Sequence, residues 1–161
     1  NVSDGRTDQR GIEANLLWQT STPVYAGFTG SYARQTYRFD RDAGRGEVIT
    51  SGNRIDTAPQ ILASARVGYR SNRGQAELEW AYNDAYFLDA ANTARYPGHY
   101  LLNARMSFDI NPHWTVGLRL NNLTDVVYAD RADLFSLTDP NQFRYFPGRR
   151  REIFGSITWR H

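Results

Sequence analysis

The chain has no cysteine and no lysine among its 161 residues. Without cysteine there is no disulfide framework, no thiolate metal site and no thiol nucleophile. Without lysine, all 19 basic residues are Arg, whose permanent charge and planar fork suit paired networks better than loose solvation. A G+C-rich genome produces the same bias. Histidine is scarce too: His99, His113 and His161 lack metal-ligand spacing. All three fall at predicted strand or chain ends, a poor placement for a Ser–His–acid triad. No catalytic residue, metal ligand or cofactor is therefore expected. Asp130, Asp133 and Asp139 are read as solvated loop acids, because their spacing matches no calcium loop. No apolar run approaches the ~18 residues that a transmembrane helix needs. The first residues, Asn1-Val2-Ser3-Asp4, do not resemble a signal peptide. If the protein is exported, this start implies a mature form or a piece that begins inside a longer chain. A net charge of +2, with no basic run beyond Arg149-Arg150-Arg151, excludes a nucleic-acid footprint.

What is present is alternation. Apolar residues recur at every second position, the period of a strand. In Arg151–His161, Ile153, Gly155, Ile157 and Trp159 face one way, and Glu152, Phe154, Ser156, Thr158 and Arg160 the other. Six earlier segments share the pattern: about Arg10–Gln19, Val24–Phe39, Ile61–Arg70, Gln75–Asn83, His99–Ile110 and Trp114–Asn121. Short turns at 20–23, 71–74 and 111–113 alternate strictly with long connections at 40–60, 84–98 and 122–148. Asn72 and Gly74 suit the second short turn because both residue types tolerate positive φ.

In an up-and-down meander, that alternation collects the short turns at one end and the long loops at the other. Transmembrane barrels have this asymmetry, with short periplasmic turns and longer extracellular loops. Trp18, Tyr69, Trp114 and Trp159 all fall on the apolar face at the short-turn end, as an interfacial aromatic belt requires. Arg66, Glu77, Glu79, Arg105, Asp109, Arg119 and Glu152 fall on the opposite face. An Arg at the lipid midplane costs roughly 2–4 kcal/mol, so this face should line the lumen. The expected fold is thus all-β, an antiparallel up-and-down transmembrane β-barrel segment of about seven strands. Seven strands cannot close an even-numbered barrel, so either 122–148 hides a strand or the chain is part of a larger wall. A small self-contained outer-membrane barrel with a structural or adhesive role, and a soluble β-sandwich, are the alternatives.

Two segments carry a family resemblance: Asn121-Asn122-Leu123-Thr124-Asp125 followed by Tyr128, and Arg144-Tyr145-Phe146-Pro147-Gly148-Arg149 leading into Ile153-Phe154-Gly155-Ser156-Ile157. Gly11-Ile12-Glu13 and Tyr96-Pro97-Gly98-His99-Tyr100 are weaker echoes. In this order they resemble the C-terminal part of a TonB-dependent outer-membrane receptor. Such receptors have about twenty-two strands and a plugged lumen. The resemblance implies that residues 1–161 are the last seven strands, with the plug domain outside the sequence. His161 departs from the aromatic residue, typically Phe, that usually ends the family.

Residence in the outer membrane of a Gram-negative bacterium follows from the resemblance. So do the expected partners: outer-membrane lipid, the rest of the barrel and its plug, the TonB complex through that plug, and a small-molecule or metal-chelate ligand such as a ferric siderophore. The mixed aromatic and basic residues Tyr128, Arg131, Phe135, Arg144 and Tyr145 are the loop candidates for ligand contact. Pairing among themselves to order the loop is the competing role. Arg66, Glu77, Glu79, Arg105 and Arg119 are expected to form wall networks or to face the plug.

Overall fold

The computed structural model describes residues 5–42, 48–135 and 142–160, and every regular element among them is a strand. In chain order these are β1 (Thr7–Gln19), β2 (Val24–Tyr37), β3 (Arg41–Asp42), β4 (Val48–Ile49), β5 (Ile61–Ser71), β6 (Gly74–Asn83), β7 (Tyr86–Phe87), β8 (Arg95–Tyr96), β9 (His99–Asp109), β10 (Trp114–Asn121), β11 (Ala129–Leu134), β12 (Phe143–Pro147) and β13 (Glu152–Trp159). Seven form one antiparallel sheet in the order β1-β2-β5-β6-β9-β10-β13. This order is the sequential meander that alternating short and long connections require.

The wall strands lie close to their expected places. β1 begins at Thr7, three residues before Arg10, because Thr7, Asp8 and Gln9 pair with Tyr37, Thr36 and Gln35. β2 stops at Tyr37 and not Phe39, and β13 ends at Trp159; His161 lies outside the described residues. The 71–74 hairpin closes on the pair Ser71↔Gly74 without a positive φ at Asn72 or Gly74. Space explains Gly74 instead: a Cβ there would lie 2.4 Å from the Ser107 carbonyl oxygen on β9.

The three long connections are not plain loops. They hold the two-stranded hairpins β3–β4, β7–β8 and β11–β12, none of which joins the wall. The strand sought in 122–148 is therefore a loop hairpin, and the wall keeps seven strands.

Burial is inverted relative to a soluble sandwich. Among the described wall residues only Thr36 and Gly68 are buried, whereas Ile12, Leu16 and Ile157 are 70%, 64% and 73% exposed on the apolar face. A contiguous apolar face of this extent needs a nonaqueous neighbour. The hydrophobic core lies in the loop hairpins instead: Tyr86, Leu88, Tyr96, Ala129 and Ala132, with Ala94 and Phe143 packed against them.

Candidate functional site: the loop cap and the polar inner wall

The cap is assembled by hydrogen bonds that join distant parts of the chain. The Tyr86 hydroxyl of β7 accepts the Ala132 N–H of β11 at 2.8 Å. The Tyr96 hydroxyl of β8 accepts the Ala129 N–H at 3.0 Å and lies 3.0 Å from His99 Nδ1. Each Tyr thus buries its ring while its hydroxyl finds a partner, the arrangement that makes a buried phenol tolerable. Burial raises the Tyr86 pKa further above its usual value. The buried Asp89 carboxylate accepts the Thr93 N–H, the Thr93 hydroxyl and the Ala94 N–H at 3.0, 2.6 and 3.0 Å, which closes the β7–β8 turn. Asn92, at φ 60°, ties this hairpin to the 50–57 segment: its Oδ1 accepts the Arg54 N–H at 2.8 Å and its Nδ2 donates to the Arg54 carbonyl at 2.9 Å.

The Asn121–Asp125 stretch is a mechanical joint. Asn122 is 2% exposed with φ 50°; its Nδ2 donates to the Val126 and Arg149 carbonyls at 2.8 and 3.1 Å, and its Oδ1 accepts the Val126 N–H at 2.9 Å. Asp125 receives a two-pronged bond from Arg150 at 2.9 and 2.6 Å and the Arg151 N–H at 3.0 Å. The Arg150 bond leads in pulling the Asp125 pKa from 3.8 to about 2. This motif therefore locks the exit of β10 to the start of β13 across the whole intervening loop.

The five loop candidates divide by use. Arg144 grips Asp133 with two bonds of 2.9 Å and lies over the rings of Phe135 and Phe146 at 5.5 and 4.9 Å. Arg131 shares the same carboxylate at 2.6 Å. The Arg144 bond is the main cause of a lowered Asp133 pKa. Tyr128 packs on His99, ring centroids 4.4 Å apart, and against Gly148, where a Cβ would lie 2.2 Å from its ring. Phe135 and Tyr145 remain 58% and 55% exposed. Of the three loop acids, Asp133 is taken up by these guanidiniums and Asp139 lies outside the described residues. No group of three metal-binding side chains occurs among the described residues.

The register places the inner-face residues in rows. One row runs Gln19–Tyr25–Gly68–Glu77–Arg105–Arg119–Phe154 across all seven strands. Glu77 binds the Tyr25 hydroxyl at 2.7 Å and Arg105 at 2.7 Å. Tyr25 reaches Glu77 only by lying over Gly68, where a Cβ would meet its ring at 2.1 Å. Glu79 accepts Asn103 Nδ2 at 3.2 Å, and Arg66 lies along Gly27. Arg119 has no ion pair among the described residues. The wall carries an open trough of about 890 Å³, bordered by Tyr25, Arg66, Glu77, Arg105, Arg119 and Phe154.

On the outer face, Trp114 and Trp159 are directly paired, whereas Trp18 and Tyr69 sit opposite Ala26 and Val24. All four are between 43% and 54% exposed. A second girdle, unnoticed in the sequence, occupies the long-loop end. Tyr82 pairs with Tyr100 across β6–β9, Trp80 stacks on Tyr82 at 5.7 Å, and Tyr32 is 45% exposed. Simple parity already put these rings on the apolar face. Val24 to Tyr32, the span between the two sets of rings on β2, is about 26 Å of strand, which at a tilt of ~35–45° covers about 18–22 Å of the ~25 Å apolar band of such barrels.

A meander with two aromatic girdles, an apolar outer face, a polar inner face and loops gathered at one end is a section of a transmembrane β-barrel wall. A family model described as "TonB dependent receptor-like, beta-barrel" matches residues 1–123. The chain belongs to that family. Its fold is similar to the unliganded ferric citrate transporter FecA, at TM-score 0.76 and 21% identity over 96% of this chain and 24% of that one. The siderophore receptor PiuA from Acinetobacter baumannii aligns at TM-score 0.76 and 17% identity, covering 96% of this chain and 22% of its own. The ferric yersiniabactin uptake receptor FyuA from Yersinia pestis gives 0.73 and 16%, with 95% and 23% covered. The chain therefore spans about a quarter of the structures it matches. A search of curated proteins finds no match.

Proposed function

We propose that the chain forms wall and outer loops of a receptor in the outer membrane of a Gram-negative bacterium, one that takes up a metal chelate such as a ferric siderophore in a TonB-dependent manner. The carrying observation is a packed loop cap that presents exposed Phe135, Tyr145 and Arg131 at the long-loop end. Tyr128 and Arg144 hold that surface in shape, and aromatic faces beside guanidiniums suit a planar anionic chelate. Solved structures of similar fold are described as a ferric citrate transporter, a siderophore receptor and a copper transporter, a range that supports chelate uptake. Arg66, Arg119 and the Glu77–Arg105 pair would face an N-terminal plug, through which the TonB complex would act. Such a receptor needs no nucleic acid and no resident cofactor.

The test is equilibrium binding of catecholate, hydroxamate and citrate ferric complexes to the full-length receptor, followed by intrinsic fluorescence. One class should bind saturably, and Tyr145→Ala and Arg131→Ala should each weaken it about tenfold. Binding by none of the three, or variants that bind like the parent, would refute the assignment.

A further inference from the structure

We propose that the outward face of the β1–β2 hairpin, at its long-loop end, binds the phosphorylated headgroup of an outer-leaflet lipid. The inference rests on the membrane-receptor reading above. It begins with an arrangement that a free surface would not favour. Arg10 on β1 stands directly opposite Arg34 on β2. Like charges in directly opposed cross-strand positions repel, with Cβ atoms only ~4.5–5.5 Å apart. Asp8 lies two residues on from Arg10 and is shared between Arg10, at 3.3 Å, and Arg38. Two guanidiniums thus share one carboxylate, and the third, Arg34, has no ion pair among the described residues.

The position of this cluster selects its ligand. Strand alternation places Arg10 and Arg34 on the face of Ile12, Leu16, Phe28 and Tyr32, the lipid-facing side. Ile12 and Tyr32 are themselves a cross-strand pair in the outer girdle, and the Arg pair lies two residues beyond it. That step is ~7 Å of strand, which leads from the apolar band into the headgroup layer. The Arg10 side chain is 82% exposed and that of Arg38 53%, so the donors are open toward that layer. Three Arg side chains near the rim are instead committed to carboxylates: Arg144 to Asp133, Arg150 to Asp125 and Arg149 to Glu152. A chelate in the lumen would have to pass the wall to reach Arg10 and Arg34. An anionic headgroup anchored by acyl chains along Ile12, Leu16 and Phe28 reaches them without obstruction. The planar donor forks of paired Arg side chains match phosphate oxygens.

Native mass spectrometry of the full-length receptor in detergent, titrated with lipid A as a bisphosphorylated glycolipid probe, tests this. The parent should retain lipid A, and Arg10→Gln/Arg34→Gln should bind it about tenfold more weakly. Enzymatically dephosphorylated lipid A should bind the parent no better than lipid A binds the variant, and ~10 mM inorganic phosphate should not displace it. Undiminished binding by the variant, equal binding of the dephosphorylated lipid, or displacement by free phosphate overturns the lipid site. Heat-dependent gel migration of both proteins separates the two levels of the claim. A parent that is not a folded membrane barrel sinks the receptor reading, whereas folded barrels with unchanged lipid affinity sink only this inference.

Discussion

Replacing Asn122 by Ala should open the joint between β10 and β13 while leaving the wall strands paired. The side chain makes three hydrogen bonds, two to the Val126 and Arg149 carbonyls and one from the Val126 N–H, at a residue only 2% exposed. At about 1 kcal/mol each, their loss amounts to ~3 kcal/mol, reduced where water can enter beside Val126. Ala at φ 50° adds about 1 kcal/mol of left-handed strain. A loss of about 2–4 kcal/mol in local opening free energy corresponds to roughly 30–1,000-fold faster exchange of the Val126 amide. Hydrogen exchange of the full-length receptor, resolved to peptides covering 120–130 and 145–152, measures it. Asn122→Asp keeps the acceptor but turns a buried carboxylate oxygen toward the Val126 and Arg149 carbonyls, so it should open the joint at least as far as Ala. Asn122→Gly should be milder than Ala by the strain alone. An Ala variant within about 1 kcal/mol of the parent, or an Asp variant as closed as the parent, would refute the bond-by-bond reasoning.

The same joint should loosen in acid. Asp125 is held at about 2, below its ordinary 3.8, and Asp133 is lowered in the same direction, chiefly by Arg144. A depressed carboxylate stabilises the fold fully above its unfolded pKa and loses that contribution as pH falls through the folded one. Loop protection from protease in the 122–151 region should therefore decline from about pH 4 toward pH 2, and Asp125→Asn/Asp133→Asn should flatten that dependence. On the inner wall, Gly68→Ala should displace the Tyr25 ring and cost about 1–3 kcal/mol in urea unfolding of the reconstituted receptor. Adding Tyr25→Ala should recover most of the loss; no recovery would mean that the steric contact is not the cause. In bilayers, fluorescence of Trp18, Trp114 and Trp159 should be quenched more by lipids brominated near the headgroup than by lipids brominated at mid-chain, and the reverse order would place the belt wrongly.

The sequence by itself determined the wall. Seven strands, their inward and outward faces, the segregation of long connections and the shared face of Trp18, Tyr69, Trp114 and Trp159 at the short-turn end all follow from a period-two pattern and from turn length, which are local properties. Parity also contained the second girdle of Tyr32, Tyr82 and Tyr100. The tertiary structure decided whatever depends on register or on contacts between distant segments. Tyr25, Glu77 and Arg105 become one network only because the pairing aligns them with Gly68 between, and a shift of one residue would separate them. Arg10 meets Arg34 for the same reason. The connections at 84–98 and 122–148 read only as long connections because two- to six-residue strands are too short to show a period. Their packing around Tyr86, Leu88 and Tyr96 joins residues more than thirty apart, a relation that no local pattern encodes.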